Sequence, residues 1–265
     1  MLRSVRSELV RLRRRGMLIS WFALMALFAV MANTIMFSVA ADGGELPAGA
    51  PGVAFPTAAE LSSADGLMAG MSAASTMFGI VTLSFWAIAV ATDYSTGLIR
   101  LLIAAMPKRW PLLVGKVLAL SVLTAVATTV AALVTFALAP MAARSAGIDT
   151  SSWADNALGT ILSTWASTYL SLLVWGVIGL ALAYLTRSAA IAISVGAAYV
   201  LVVESMLGQV FDTTPDWLLS GTLTAVAQGG STTVSQGTAL AWAGLYVALG
   251  LGAAAVVLLR RDVTD

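Results

Sequence analysis

The chain has 265 residues, of which 59% are hydrophobic and only 10% are charged, and it contains neither cysteine nor histidine. Soluble domains carry about 25% charged residues, so the composition excludes that class and indicates an integral membrane protein. The missing thiols and imidazoles exclude disulfides, thiolate metal sites and the commonest general base.

Six apolar segments are long enough to cross a bilayer, whose core of about 30 Å needs about 20 helical residues. The third and fourth exceed one crossing, so we expect them to tilt or to project beyond the membrane. The first exceeds the apolar core of a secretory signal, which predicts an uncleaved anchor. The sequence thus predicts an all-α membrane protein with six transmembrane helices, forming a single transmembrane domain over residues 1–265. The segments are residues 17–41, 67–91, 111–139, 158–185, 189–211 and 238–259.

Basic residues predict the orientation of these segments. With the N-terminus inside, 13 of the 14 Lys and Arg residues fall on the cytoplasmic side, and only Arg144 lies outside. Both termini are therefore predicted to be cytoplasmic, in a plasma membrane of the bacterial type.

The first 16 residues have the pattern of an amphipathic helix that lies in the membrane interface. Leu2, Val5, Leu9 and Leu12 recur every three or four residues, with arginines on the other faces. Gly16 is the expected bend into the first span. The alternative is a basic anchor that only sets the orientation.

The predicted cytoplasmic loop of residues 92–110 contains a short apolar helix interrupted by Arg100. Gly97 permits a break before it, and Pro107 stops it. Such a helix is suited to docking on a partner, whereas the alternative is a charged loop whose basic side chains reach the lipid headgroups. Its apolar residues are Leu98, Ile99, Leu101, Leu102, Ile103 and Met106.

The stretch "ATDYSTGLIRLLIAAMPKRWPLLVGKVLA" resembles the segment after the second span of type 2 ABC transporter permeases, the membrane subunits of exporters driven by a separate ATPase. Two departures are Asp93, where that family more often has Glu, and Leu98, where Thr often follows the glycine. The basic N-terminal helix, the six spans and the broken segment before the last span are similar too. The family's positions fall on Asp93, Gly97, Arg100, Pro107, Arg109 and Lys116.

The resemblance implies a permease that forms a path for a hydrophobic or amphipathic substrate, such as a drug, a peptide or a lipid. Its partners would be two copies of an ABC ATPase, a second permease, identical or related, and membrane lipids. The residues expected to couple the chain to the ATPase are Asp93, Gly97, Leu98, Arg100, Leu101, Met106, Pro107, Arg109 and Lys116.

The chain itself has no recognisable phosphate-binding loop. Gly115-Lys116 is the nearest match, but Val117 replaces the required Ser or Thr and no glycine stands five residues before Gly115. We therefore expect a transport subunit and not an enzyme, with no catalytic residue, no metal site, no cofactor of its own and no nucleic-acid partner. ATP and Mg would bind to the partner ATPase.

Residues 212–237, between the fifth and sixth spans, predict re-entrant or interfacial helices. Pro215 fits a helix start, a short apolar stretch follows, and Gly229 and Gly230 end it. Irregular backbone at membrane depth requires protein or water to satisfy its polar groups. The resembling family has such a feature there, as a cap on the translocation path. A plain extracellular loop is the alternative.

Glu204 is the one carboxylate inside a predicted span, which makes it a candidate for the translocation path or its gate. Its predicted depth, about 20–25 Å from the cytoplasmic end, also fits a solvated glutamate near the outer interface. Asn33 and Gln209 are further path candidates, with helix packing as the alternative role.

Two other classes compete with an exporter permease. A membrane enzyme would need His, paired carboxylates or metal ligands within the spans, and the sequence lacks these sets. An ion- or proton-coupled secondary transporter stays open, although the six spans show no inverted repeat and few charges.

Overall fold

The computed structural model describes residues 2–12, 15–42, 56–105, 110–210, 217–231 and 233–260. Within these ranges the chain forms helices and no β-strand. Six helices are long and apolar enough to cross a membrane, so the protein is an all-α, multi-pass membrane protein, as predicted. Spans 1 to 6 are Arg15–Ala41, Ser75–Ser95, Trp110–Ser145, Ala157–Thr186, Ala189–Leu207 and Gln236–Leu259.

The amphipathic N-terminal segment forms helix α1, Leu2–Leu12, as its spacing predicts. Leu12 on one face is 6% exposed, whereas Val10 on the other is 68% exposed. The bend predicted at Gly16 is wrong, because α2, Arg15–Ala41, has already begun there. A Cβ added at Gly16 would meet no atom within 4 Å, so packing does not require glycine at this position.

Span 2 begins later than predicted. Three short helices precede it: α3 (Ala58–Leu61), a 3-10 turn (Ala64–Met68) and α4 (Ala69–Ala73). Only then does α5, Ser75–Ser95, start. The predicted segment 67–91 is therefore wrong at its start. Tertiary hydrogen bonds hold this segment, including one from Trp153 Nε1 to the Leu61 carbonyl at 2.9 Å. Such contacts cannot be predicted from hydropathy.

Spans 3 and 4 are the long ones, as expected. Helix α7 spans Trp110–Ser145 and α8 spans Ala157–Thr186. At 1.5 Å per residue α7 is about 54 Å long, well beyond a hydrocarbon core of about 30 Å. Helix α6, Leu98–Ala105, lies between α5 and α7, which confirms the short helix predicted in this loop.

The centre of the bundle is the contact between α5 and α8. Glycines on each helix face large side chains of the other: a Cβ on Gly79 would lie 2.3 Å from Trp175, and one on Gly176 would lie 2.4 Å from Trp86. Both indoles are almost fully buried. Close helix approach over small residues is how membrane helices gain packing contacts.

Span 5 is interrupted and is followed by a docked helix. It begins with α9 (Ala189–Ala198), continues through a π-helical turn (Tyr199–Glu204) and ends within α10 (Ser205–Val210). Helix α11, Leu219–Gln228, packs on α8, where Ser171 donates to the Leu223 carbonyl at 2.9 Å. A left-handed Gly229, φ 77°, ends α11, and α12, Gln236–Arg260, contains span 6. We call the two ends of the bundle the α6 end and the α11 end.

Candidate functional site

Asp93 and Lys116, both expected at the coupling site, meet at the α6 end of the bundle. Lys116 Nζ donates a hydrogen bond to Asp93 Oδ2 and another, of 3.0 Å, to the Ala89 carbonyl. Asp93 lies near the end of α5, and Lys116 lies in the second turn of α7. The Lys116 side chain is only 4% exposed. An ammonium so buried needs the carboxylate to offset its lost hydration.

Helix α1 completes this pair to a ring of four charges, here called the ion cluster: Glu8, Arg11, Asp93 and Lys116. Arg11 Nη2 lies 3.0 Å from Asp93 Oδ1, and Arg11 Nη1 lies 2.5 Å from Glu8 Oε1. Glu8 Oε2 lies 3.8 Å from Lys116 Nζ, which closes the ring. Two acidic and two basic groups cancel, so the cluster joins α1, α5 and α7 without a net buried charge.

Glu8 is the member whose ionisation is most affected by its surroundings. Burial raises the pKa of its carboxyl above the usual 4.5, while the charges of Lys116 and Arg11 lower that pKa. Burial is the larger effect. Packing of α1 on the bundle therefore disfavours the ionised form of Glu8, and the neighbouring charges of Lys116 and Arg11 offset part of this destabilisation.

A small cavity of about 120 Å³ opens beside the ion cluster. Its volume suits a few water molecules. Leu98, the first residue of α6, lines this cavity, so α6 begins next to the ion cluster. The cavity is lined by Glu8, Arg11, Leu12, Met17, Ala89, Thr92, Asp93, Thr96 and Leu98.

Gly97 joins α5 to α6 with a left-handed backbone, φ 69°, which confirms the predicted break. Within α6, Ile99 is 5% exposed and Leu101 is 69% exposed, so one face is anchored and the other is open. Arg100 lies in this helix, and its side chain is outside the described part. Met106, Pro107 and Arg109 lie outside the described residues.

A second contact fixes the end of α5 next to Asp93. The Arg187 guanidinium lies 5.9 Å from the centroid of the Tyr94 ring, in the range of a cation–π interaction. Tyr184 meets the same ring edge-on, with centroids 6.0 Å apart. The link between α8 and α9 therefore also holds the base of α6.

Glu204 lies apart from the ion cluster, near the start of α11. It is 2% exposed and accepts hydrogen bonds from the Ser220 amide, at 3.0 and 3.3 Å, and from the Ser220 hydroxyl. The solvated position weighed from the sequence is wrong, because α11 packs over the carboxylate. Its role in a translocation path stays a prediction.

The other two path candidates are placed differently. Asn33 of α2 is buried against α7. Its side-chain amide donates to the Ala29 carbonyl at 2.7 Å and to the Thr135 hydroxyl of α7 at 3.3 Å. Gly70 packs directly on it, since a Cβ there would lie 2.4 Å from Asn33 Oδ1. Gln209 lies in α10, and its side chain is outside the described part.

Sequence reasoning missed two members of the ion cluster, Glu8 and Arg11. A signal was present: Glu8 is the one acidic residue in a segment of six arginines, and Arg11 follows one helical turn later. An acid one helical turn before a base predicts an ion pair between the two on the same helix face. The pairing of Glu8 and Arg11 with Lys116 and Asp93 could not be predicted, because it depends on how α1 packs on α5 and α7.

In the described ranges, no group of three or more Asp or Glu side chains is placed to hold a metal ion. The carboxylates of the ion cluster are instead paired with Arg11 and Lys116.

Comparison with known families matches most of the chain to one family model. The family model described as a protein of unknown function, DUF2705, matches residues 22–260, most of the chain. The chain therefore belongs to the DUF2705 family. No curated protein sequence matches it.

Proposed function

We propose that this member of the DUF2705 family is the permease subunit of an ATP-driven ABC exporter. Two copies of a separate ATPase would dock at the α6 end, where ATP and Mg bind to the ATPase and not to this chain. A second permease, identical or related, would complete the path. The α6 end would face the cytoplasm of a bacterial-type cell, with both termini on that side, as the basic residues predict.

The observation that carries this proposal is the ion cluster at the base of α6. It ties α1 to α5 and to α7 through ion pairs of 3.0 and 3.8 Å, and it ties α5 to α7 through the Lys116–Asp93 contact. Force applied to α6 reaches α5 through the single residue pair Thr96-Gly97. From α5 it passes to two other helices, because the buried charges resist separation.

The open face of α6 supports a docking role. Leu101 is 69% exposed at the α6 end of the bundle, while Ile99 on the same helix is buried. An exposed leucine on a short helix between membrane spans is costly in water and is stabilised by an apolar partner surface. We infer that the ATPase covers this face.

The opposite end of the bundle would carry the substrate exit. Helix α11 packs on α8 and α5 there and would cap the path, with Glu204, Asn33 and Gln209 as candidate path or gate residues. The substrate class proposed is hydrophobic or amphipathic, such as a drug, a peptide or a lipid. Such molecules fit a path lined by spans that carry few charges.

The test is the composition and activity of the intact complex. The chain is purified in mild detergent from its native membrane, and the accompanying chains are identified by mass spectrometry. We expect a chain with a Walker motif that hydrolyses ATP. Purified protein that lacks such a chain, and that still moves substrate in proteoliposomes without ATP, would contradict the proposal.

One observation favours an ion- or proton-coupled secondary transporter as the second candidate. Glu204 is a buried carboxylate within span 5, and buried carboxylates in membranes commonly bind protons or cations. This candidate predicts transport by the purified chain alone when a proton or sodium gradient is imposed. It also predicts that Glu204→Gln abolishes this gradient-driven transport.

A further inference from the structure

Helix α11 lacks an N-terminal cap of its own. Its N-cap residue is Leu218, whose side chain makes no capping hydrogen bond. The first amides of a helix have no partner within it, and a buried helix start needs an acceptor from elsewhere. Glu204, 16 residues earlier in the chain, supplies that acceptor through the amide of Ser220.

The chemistry of this contact is that of an N-cap with a full negative charge. A carboxylate at a helix start satisfies a free N–H group and interacts favourably with the positive end of the helix dipole. Tyr246 of α12 holds the same region from the other side, by donating to the carbonyl of Trp217. The start of α11 is therefore fixed to spans 5 and 6.

Glu204 is the last residue of the π-helical turn Tyr199–Glu204. Such a turn holds one residue more than an α-helical turn, and it is frequent at functional sites. The Ser205 hydroxyl donates to the Leu201 carbonyl, which satisfies backbone that the wide turn leaves without its usual α-helical bond. Because the wide turn takes up this extra residue, Glu204 keeps the direction in which it meets Ser220.

We propose that Glu204 is a positioning residue that latches α11 to span 5, and that the π-helical turn is the device that closes the latch. If the turn becomes α-helical, Glu204 rotates by about 100° around the helix axis and leaves Ser220. Helix α11 then loses its cap and can move away from span 5. This inference goes beyond the proposed function and holds whether or not an ATPase drives the protein.

Hydrogen exchange of α11 tests the latch directly. The full chain is reconstituted in phospholipid nanodiscs, and deuterium uptake is followed in the peptide of residues 217–228. We expect Glu204→Ala, and to a smaller degree Glu204→Gln, to speed exchange of the first-turn amides by about tenfold, as loss of a cap does. Val202→Ala is the matched control, because Val202 lies in the same turn with its side chain 52% exposed. Exchange in Glu204→Ala equal to that in the control would overturn the latch.

Deletions in the turn test its role in setting direction. Removing Val202 alone leaves an α-helix in which Glu204 keeps its direction, so α11 should stay as protected as in the wild type. Removing both Leu201 and Val202 rotates Glu204 by about 100° and should speed exchange to the level of Glu204→Ala. If the single deletion releases α11 as much as the double deletion does, the π-helical turn does not set the latch. The comparison of Glu204→Ala with Val202→Ala decides the latch itself even if a deletion variant fails to fold.

Discussion

Lys116 on α7 and Asp93 on α5 form a buried hydrogen-bonded ion pair, and α1 adds Glu8 and Arg11 to it. Two residues that lie 23 positions apart thus connect span 2 to span 3 at the base of α6. This ion pair stabilises the fold only while both charges are present, because a buried charge without its partner destabilises the protein.

Removing one charge of the ion cluster should destabilise the protein strongly. Lys116→Met leaves Asp93 and Glu8 with Arg11 as the only cation of the cluster. We expect the free energy of unfolding to fall by about 3–5 kcal/mol, the usual cost of breaking one side of a buried pair. Thermal unfolding in detergent measures this loss.

A double variant and a surface variant control that experiment. Lys116→Met with Asp93→Asn leaves one acid, Glu8, and one base, Arg11, so it should recover part of the lost stability. Arg144→Ala removes an exposed cation, and we expect a change below about 0.5 kcal/mol. A double variant less stable than Lys116→Met would show that the charges are not coupled.

Glu8 should give a distinctive pH dependence. Because burial raises its pKa above the usual 4.5, the folded protein holds this proton more tightly than the unfolded chain does. Its contribution to stability is fully present below pH about 4.5 and is lost as the pH rises through the higher folded-state pKa. Glu8→Gln should flatten this fall, as measured by denaturant unfolding at a series of pH values.

Glu60 provides a control of opposite sign. Hydrogen bonds from the Thr57 amide and hydroxyl lower the pKa of its carboxyl. Its contribution is present above the usual pKa of 4.5 and is lost as the pH falls through the lower folded-state pKa. Glu60→Gln should therefore remove a rise of stability with pH. The same change of slope in both variants would refute the assignment for Glu8.

Close packing of α5 on α8 should not tolerate a methyl group at Gly179. A Cβ there would lie 2.2 Å from the Leu83 carbonyl oxygen, which is backbone and cannot turn aside. We expect Gly179→Ala to cost about 1–3 kcal/mol, as overpacking does. Gly252→Ala in α12 is the matched control, because no atom lies within 4 Å of its added Cβ. It should be neutral or stabilise the helix by up to about 1 kcal/mol. Equal thermal stability of the two variants would rule out close packing at Gly179.

The number of spans and the short helix α6 follow from the sequence, because each depends on local features. A segment of about 20 apolar residues crosses a bilayer as a helix. Gly97 readily adopts the left-handed backbone that ends α5 before α6 begins. The late start of span 2 does not follow, because Leu67 to Ala73 are as apolar as a span. Tertiary hydrogen bonds, such as that from Trp153 to Leu61, keep them out of it.

The candidate site could be predicted only in part for the same reason. Asp93 and Lys116 stand out as charges at the ends of apolar segments, whereas the partnership with Glu8 and Arg11 requires α1 to pack on α7. The cap that Glu204 provides for α11 is also a contact between distant segments. Hydrophobic periodicity carries no information on either contact.

ATP hydrolysis by the purified complex of the chain with the ATPase proposed as its partner tests the proposed coupling role of α6 most directly. Leu101→Glu places a charge on the exposed face of α6, where Leu101 is 69% exposed. Met141→Glu is the control, because it places a charge at a similarly exposed position, 66%, near the end of α7 that is far from α6. We predict that the wild-type chain and Met141→Glu bind the ATPase and change its rate of ATP turnover, and that Leu101→Glu does neither while keeping its thermal stability. An ATPase that binds Leu101→Glu and responds to it as it does to the wild type would contradict the assignment of α6 as the coupling element.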